Sequence, residues 1–237
     1  MDITGSVALV TGANRGIGRR FVDELLDRRA EKVYAAARRP GTVEVSDPRV
    51  EVLRLDLLDA DSVSRAAAQA RDVTLLVNNA GIATRVDLVT GDPDAIRLEL
   101  DTHFFGTLGV IRAFTPVLAA NGGGAVVNVL SALSWFTTAG AGAYAVAKAA
   151  AWSMTNGVRL DLAGQGTLVQ GVHLGAADTD MMAGYDVPKI DPVDVARASL
   201  DGVASGAIEV LVDDASRFVK ASLAQDPAGF YAQVLGA

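Results

Sequence analysis

The sequence predicts an α/β fold: a doubly wound parallel sheet of about seven strands with helices on both faces. Short apolar runs alternate along the chain with longer stretches of helical spacing, and this alternation is typical of repeated strand–helix–strand units. The short runs are apolar throughout, as expected for strands that are covered on both faces. The 237 residues contain no linker and no repeat of fixed period, so we expect one domain over residues 1–237.

The individual elements follow from this pattern in order. A buried strand at residues 7–11 precedes a glycine-rich turn and a helix that runs through Arg28. Parallel strands joined by right-handed crossovers end at one edge of the sheet, where ligands bind in such folds. The further predicted strands are 32–37, 50–55, 73–77, 124–130, 168–174 and 208–212, and the further predicted helices are 62–70, 94–118 and 144–162.

The composition argues against several classes of protein. Half of the residues are hydrophobic, so the chain can bury a sizeable core and disorder is not expected. The net charge of -7 argues against nucleic acid as a partner, because such binders carry surplus Lys and Arg. With no cysteine and two histidines, a metal centre has little support. No signal peptide or bilayer-length apolar stretch is visible, so we expect a soluble cytoplasmic protein that makes no contact with a membrane.

The turn after the first predicted strand has the pattern of a phosphate-binding loop. Glycine lets the backbone turn tightly and approach a ligand that a Cβ would displace. The helix that follows offers unpaired N–H groups and a positive dipole end to a pyrophosphate. A plain tight turn is the alternative, which the position between strand and helix disfavours. The residues expected to form the loop are Gly12, Asn14, Arg15, Gly16, Ile17 and Gly18.

This turn, read from Thr11 as T-G-x-x-x-G-x-G, resembles the cofactor turn of the short-chain dehydrogenase/reductase family, which has a Rossmann-type fold. The resemblance extends from Val7 to about Lys220 and implies NAD(P) binding and a homodimer or homotetramer. The resemblance implies further cofactor contacts after the third, fourth and sixth strands, at Asp56, Leu57, Asn79, Ala80, Gly81, Gly175 and Thr179. For Asp56, the alternative to a cofactor contact is a helix cap or a solvated loop acid.

The end of the second strand indicates which nicotinamide cofactor binds. An acid there would bond the ribose 2′-hydroxyl of NAD and repel a 2′-phosphate, but this chain has Arg38 and Arg39. Guanidinium groups pair well with a phosphate dianion. The resemblance implies a second basic group of NADP-preferring members at Arg15. Solvated surface arginines are the alternative, and the three together favour NADPH/NADP+ over NADH.

Tyr144 and Lys148 lie one turn apart on the same face of a predicted helix. Reduction of a carbonyl requires a proton donor to its oxygen, and a cation one turn away favours the phenolate and lowers the pKa of a phenol. The resemblance implies that this pair is catalytic and that the lysine also bonds the nicotinamide ribose. It implies a substrate-orienting serine at Ser131, with Ser134 as a nearby competitor.

One position departs from the family pattern. The family commonly has an asparagine in a motif like N-F-x-G-T, and His103 stands in its place here. In the family that asparagine supports a water that links the lysine to bulk solvent. A histidine could hold a water or relay a proton, occupy the space of the water, or pack between helices.

Loop residues after the fifth and sixth strands indicate the substrate. Trp135, Met181 and Tyr185, with Phe136 and Met182 beside them, fall in loops at the ligand-binding edge. They suggest an apolar or aromatic ketone, aldehyde or matching alcohol, with ordinary packing or an oligomer contact as the alternative. The predicted activity is NADPH-dependent carbonyl reduction or its reverse. The rivals are a cofactor-binding sensor with little turnover, an imine reductase using the same site, and a halohydrin lyase of the same fold.

Overall fold

The computed structural model describes residues 1–235, and a seven-stranded parallel sheet forms its centre. The order across the sheet is β3-β2-β1-β4-β5-β6-β7, with every pairing parallel. The predicted doubly wound α/β fold is thereby confirmed. The strands are β1 (Val7–Thr11), β2 (Lys32–Ala37), β3 (Val50–Arg54), β4 (Leu75–Asn78), β5 (Gly124–Val129), β6 (Thr167–His173) and β7 (Glu209–Leu211).

Helices cover both faces of the sheet. One core contains α1 and α6, and the other contains α2, α4 and α5. On β1, Ala8 and Val10 belong to the first core and Leu9 to the second, which explains why the strand is apolar at every position. Within residues 1–235 the α-helices are α1 (Gly16–Asp27), α2 (Ala60–Gln69), α3 (Pro93–Leu100), α4 (Thr107–Ala120), α5 (Gly142–Leu162), α6 (Pro192–Ser205), α7 (Asp214–Ser222) and α8 (Pro227–Leu235).

The helical segment before β5 is continuous but irregular. The apolar spacing predicts one unbroken α-helix at 94–118, whereas the structure joins α3 to α4 through a π-helical stretch, Asp101–Gly106. The segment Pro93–Ala120 is long and apolar enough by composition to span a membrane. In the fold it is a core element, because Val110, Phe114 and Leu118 of α4 are buried against the sheet.

The strand register brings the predicted site residues to one edge. Val10 pairs with Val77, and Asn78 pairs with Asn128, so β1, β4 and β5 end side by side. Most predicted element boundaries agree with the structure to within two residues. Because the loops after parallel strands leave from the same edge, the glycine turn after β1 and Ser131 after β5 lie at that edge.

Candidate active site

The glycine turn between β1 and α1 has no room for a side chain at positions 12 and 18. Gly12 has a φ of +67°, and a Cβ added there would lie 2.9 Å from the Cα of Ala80. A Cβ on Gly18 would collide with the carbonyl oxygen of Gly12. Gly16 also has a positive φ of +53°, which L side chains rarely adopt. Glycine at positions 12 and 18 therefore lets the turn pack closely against Asn79, Ala80 and the start of α1.

Asn79 and Thr11 hold the turn in place. The Asn79 side-chain amide donates to the carbonyl oxygen of Thr11 at 3.1 Å. The Thr11 hydroxyl in turn accepts the backbone N–H groups of Asn79 (3.0 Å) and Ala80 (3.1 Å). The segment after β4 thus ties β4 to the glycine turn after β1.

The N-terminus of α1 is left open for an anionic ligand. Its N-cap is Arg15, whose side chain makes no capping hydrogen bond, so the first-turn N–H groups face outward. A helix start without a side-chain cap and glycines at positions 12, 16 and 18 of the turn fit a bound pyrophosphate. By contrast, aspartate side chains cap α2, α3, α6 and α7, namely Asp59, Asp92, Asp191 and Asp213.

Of the three predicted phosphate-binding arginines, the two at the end of β2 form no ion pair within residues 1–235. Arg38 and Arg39 are exposed, and within residues 1–235 neither has a carboxylate oxygen within 4 Å. Arg15 instead pairs with Asp180 in the loop after β6, at 2.8 Å. Both of these side chains are about 70% exposed, so the pair is weak and can exchange for another anion.

Of the remaining predicted cofactor residues, the structure brings Thr179 to this turn and places the others in the loops that follow their strands. Thr179 lies against the turn, since its methyl carbon would be 3.1 Å from a Cβ on Gly16. The N–H of Gly175 donates to Asp213 at 2.7 Å. Asp56 follows β3 and accepts the N–H of Leu58 at 3.2 Å in a local loop turn, whereas the residue that caps α2 is Asp59. Contacts of Asp56 and Leu57 with an adenine stay predictions.

The second part of the site is built on α5. Lys148 is 6% exposed, and its Nζ donates to the carbonyl oxygen of Val129 at 2.8 Å and lies 5.5 Å from the Tyr144 ring centroid. Ser131, directly beyond β5, starts a short 3-10 turn, and its hydroxyl accepts the N–H of Leu133 at 3.1 Å. The serine hydroxyl lies close enough to Tyr144 to lower the pKa of that phenol, which favours Ser131 over Ser134.

Burial dominates the electrostatics of this pair. Desolvation raises the pKa of Tyr144 well above its ordinary value, and the negative charge of Glu99 raises it further. Desolvation lowers the pKa of Lys148 to about 8, against the opposing effect of Glu99. At neutral pH the phenol is therefore protonated. The lysine is also protonated, but burial makes its charged form less stable than it is in water.

His103 lies in the π-helical stretch and meets Tyr144 edge to face, with ring centroids 5.3 Å apart. Its Nε2 lies 3.0 Å from the carbonyl oxygen of Ile82 and 3.2 Å from Oε2 of Glu99. A Cβ on Gly81 would lie 2.5 Å from Cε1 of the imidazole, so the predicted glycine makes room for the ring. Sequence reasoning missed Glu99, although its spacing of one helical turn from His103 was a signal for it.

A model of the family described as short chain dehydrogenase matches residues 6–188. The chain belongs to this family. It is 27% identical over 214 residues to an uncharacterized oxidoreductase of Staphylococcus saprophyticus, covering 84% of this chain and 92% of that protein. It is 30% identical over 188 residues to a 3-oxoacyl-(acyl-carrier-protein) reductase of Vibrio harveyi, covering 76% and 77%. A crystal structure of a short chain dehydrogenase from Burkholderia cenocepacia, in complex with NADP, superposes with a TM-score of 0.94 at 38% identity over 99% of both chains.

These matches confirm the predicted short-chain dehydrogenase resemblance and its oxidoreductase class.

The structure separates the predicted substrate residues into two groups. Trp135 stacks on His173, with ring centroids 3.9 Å apart, and Nζ of Lys220 lies 4.8 Å from the centroid of the Trp135 ring. Phe136 packs edge to face on Phe230. Trp135 and Phe136 thus lie in an aromatic cluster with the C-terminal helices.

The other group is the loop after β6. Met181 and Tyr185 are 37% and 40% exposed. Arg85 holds this loop, because it donates to the carbonyl oxygen of Met181 at 2.9 Å and its guanidinium lies 4.7 Å from the Tyr185 ring centroid. A substrate contact of either residue stays a prediction. In the part of the chain that the structure describes, no group of three or more His, Cys, Asp or Glu is arranged to hold a metal ion.

Proposed function

We propose that this short-chain dehydrogenase is an NADP(H)-dependent oxidoreductase that reduces a ketone or aldehyde to an alcohol, or catalyses the reverse reaction. The observation that carries the proposal is that two parts of the site, a glycine turn and a group of three polar side chains, lie at the same edge of the sheet. A glycine turn whose positions 12 and 18 have no room for a side chain follows β1, and the Ser131, Tyr144 and Lys148 side chains lie beyond β5 and on α5. The first suits a dinucleotide, and the second suits proton transfer to an oxygen.

The residues near the glycine turn fit NADP(H). The open N–H groups of α1 would bind the pyrophosphate, and Arg38 with Arg39 would bind the 2′-phosphate. The B. cenocepacia relative, 38% identical, was solved in complex with NADP, which supports the same choice. When bound, the cofactor supplies or accepts the hydride.

Three side chains would handle the oxygen and its proton. Ser131 would hydrogen-bond the carbonyl oxygen and stabilise the charge that develops on it. Tyr144, protonated at neutral pH, would donate its proton to that oxygen. The buried ammonium of Lys148 would stabilise the resulting phenolate, because an opposite charge within a few ångströms favours the ionised form.

The substrate we propose is apolar or aromatic, in keeping with Met181 and Tyr185 in the loop after β6. A cytoplasmic homodimer or homotetramer that pairs through the long helices is also proposed. Phe105 (59% exposed) and Val146 (40% exposed) support it, since they are large apolar side chains at the surface of that helical region.

The test begins with titration of the purified protein with NADPH and NADH, followed by quenching of Trp fluorescence. Tighter binding of NADPH than NADH is expected. A panel of aliphatic and aromatic ketones and aldehydes is then screened for oxidation of NADPH at 340 nm. Binding of neither cofactor would refute the cofactor site. Tight NADPH binding without turnover on any member of the panel would favour the sensor over the enzyme.

A further inference from the structure

Glu99 is a buried carboxylate beside the site that the proposed reaction does not use. It lies on α3 and is 0% exposed. Its Oε1 accepts the backbone N–H of Thr84 at 2.5 Å, and its Oε2 lies 3.2 Å from Nε2 of His103. Burial raises the pKa of Glu99, but the nearby His103 and the N–H of Thr84 outweigh burial, so its pKa lies below the ordinary value. Within residues 1–235, Oε2 of Glu99 has no hydrogen-bond partner of its own. A buried carboxylate is costly unless nearby groups compensate it.

The contacts of His103 favour one tautomer. Its Nε2 faces two acceptors, the Ile82 carbonyl oxygen at 3.0 Å and the Glu99 carboxylate at 3.2 Å, so this nitrogen carries the proton. The N–H of Ile82, at 3.4 Å, would donate to Nε2 only in the opposite tautomer and is the longest of the three contacts. Burial lowers the pKa of His103, so the ring is neutral near pH 7 and Nδ1 is an acceptor.

His103 and Lys148 face a common space. A closed cavity of about 10 Å³ lies between them, close to the size that holds one water molecule. Asn78 also lines it, and within the described residues its buried Oδ1 has no hydrogen-bond partner. Lys148 spends one of its three donors on Val129. His103, Lys148 and Asn78, three residues with polar side chains, therefore line one small cavity.

We propose that Glu99 is a positioning residue of this active site: its carboxylate, 3.2 Å from Nε2, favours the Nε2–H tautomer of His103 together with the Ile82 carbonyl, and its charge lies one side chain away from the cavity that His103 and Lys148 line. This inference rests on the proposed function. Glu99 acts at a distance and through His103, so it is not itself in contact with the reacting atoms.

The negative charge of Glu99 raises the pKa of both Tyr144 and Lys148. The ionisable groups acting on Lys148 and Tyr144 in residues 1–235 are Glu99 and His103 from α3 and the π-helical stretch, and His173 from β6. Glu99 is the carboxylate among them and raises the pKa of both the lysine and the phenol. Removal of its charge therefore lowers both.

The first experiment is the pH profile of NADPH-dependent turnover in Glu99→Gln, which keeps the shape and an acceptor oxygen. In reduction, turnover falls as pH rises through the pKa of Lys148, about 8, because loss of the ammonium removes the charge that stabilises the phenolate. We expect this falling limb to move to lower pH by roughly one unit, with NADPH affinity unchanged. The matched control is Glu24→Gln, since Glu24 is also buried and pairs with Arg197 at 2.9 Å on the opposite face of the sheet. That variant should lose stability and keep the wild-type profile. An unmoved limb in Glu99→Gln, or the same shift in Glu24→Gln, would overturn the role of the charge.

The second experiment needs neither a variant nor turnover. The chain has two histidines, so a long-range ¹H–¹⁵N spectrum of the ¹⁵N-histidine-labelled protein resolves both rings. We expect Nε2–H for His103 and Nδ1–H for His173, whose Nδ1 lies 3.0 Å from the Ser131 carbonyl oxygen. Nδ1–H at His103 would overturn the inference even if the enzyme is active. Absence of NADPH binding or turnover in the unaltered protein would instead refute the proposed function and leave the tautomer result standing.

Discussion

The two halves of the site are built on opposite principles. Around the glycine turn after β1, the structure leaves groups open: a helix start without a side-chain cap and two exposed arginines without carboxylate partners in the described chain. Around α5 and the π-helical stretch, the groups are buried and occupied by one another, as in the Glu99–His103 contact. The open half can recognise a ligand by shape and charge without altering any pKa. The buried half can alter pKa values because water is excluded from it.

The largest effect is expected for Tyr144→Phe, which changes the buried half of the site and leaves the open half intact. Loss of the proton donor should reduce turnover by about 10²–10⁴-fold, while NADPH affinity stays nearly unchanged because the open half is intact. Steady-state kinetics and a fluorescence titration measure the two separately. Tyr34→Phe is a matched control, since Tyr34 also lies beside a lysine, Lys32, at 3.1 Å, but on β2. Retained turnover in Tyr144→Phe would remove Tyr144 as the acid.

Gly12→Ala breaks the open half instead. The positive φ and the close approach of Ala80 should cost about 1–3 kcal/mol of strain. Displacement of the turn should weaken NADPH binding by roughly tenfold to a hundredfold, with turnover at saturating NADPH largely kept. Gly164→Ala is the control, because a Cβ there meets nothing within 4 Å. Equal NADPH affinity in the two variants would show that the turn does not contact the cofactor.

Arg38→Ala tests charge recognition in the open half. Removal of an exposed guanidinium should weaken NADPH binding by about tenfold, a value at the low end for hydrogen bonds to charged groups, and should leave NADH binding unchanged. Competition titrations with the two cofactors measure the difference. Arg217→Ala removes an exposed arginine on α7 and controls for net charge. An equal loss for both cofactors in Arg38→Ala would refute the phosphate assignment.

The same division explains what could be predicted from the sequence. The glycine spacing and the Tyr144–Lys148 pair are local patterns, because one turn or one helix fixes their geometry. The fold followed from strands that are apolar at every position. Contacts between distant segments have no such signature. Arg15 pairs with Asp180, 165 positions away, and the burial of Glu99 depends on the Thr84 segment. The π-helical stretch shares the composition of an ordinary helix, so spacing does not reveal it.

His173 gives the smallest predicted effect, and it concerns the stability of the buried half. The ring is 1% exposed and donates from Nδ1 to the carbonyl oxygen of Ser131, so it supports the loop that carries this serine. Burial lowers the pKa of His173 to about 4. The unfolded chain, with an ordinary histidine pKa near 6.5, therefore binds this proton first. Stability from the neutral ring is present above that value and is lost as pH falls toward 4. We expect a loss of about 0.7 kcal/mol between pH 7 and 6, measured by urea unfolding. In His173→Gln the pH dependence should be smaller by that amount, because His103 is still present and cancels in the comparison. An equal pH dependence in both proteins would mean that the ring can be protonated without disturbing the loop.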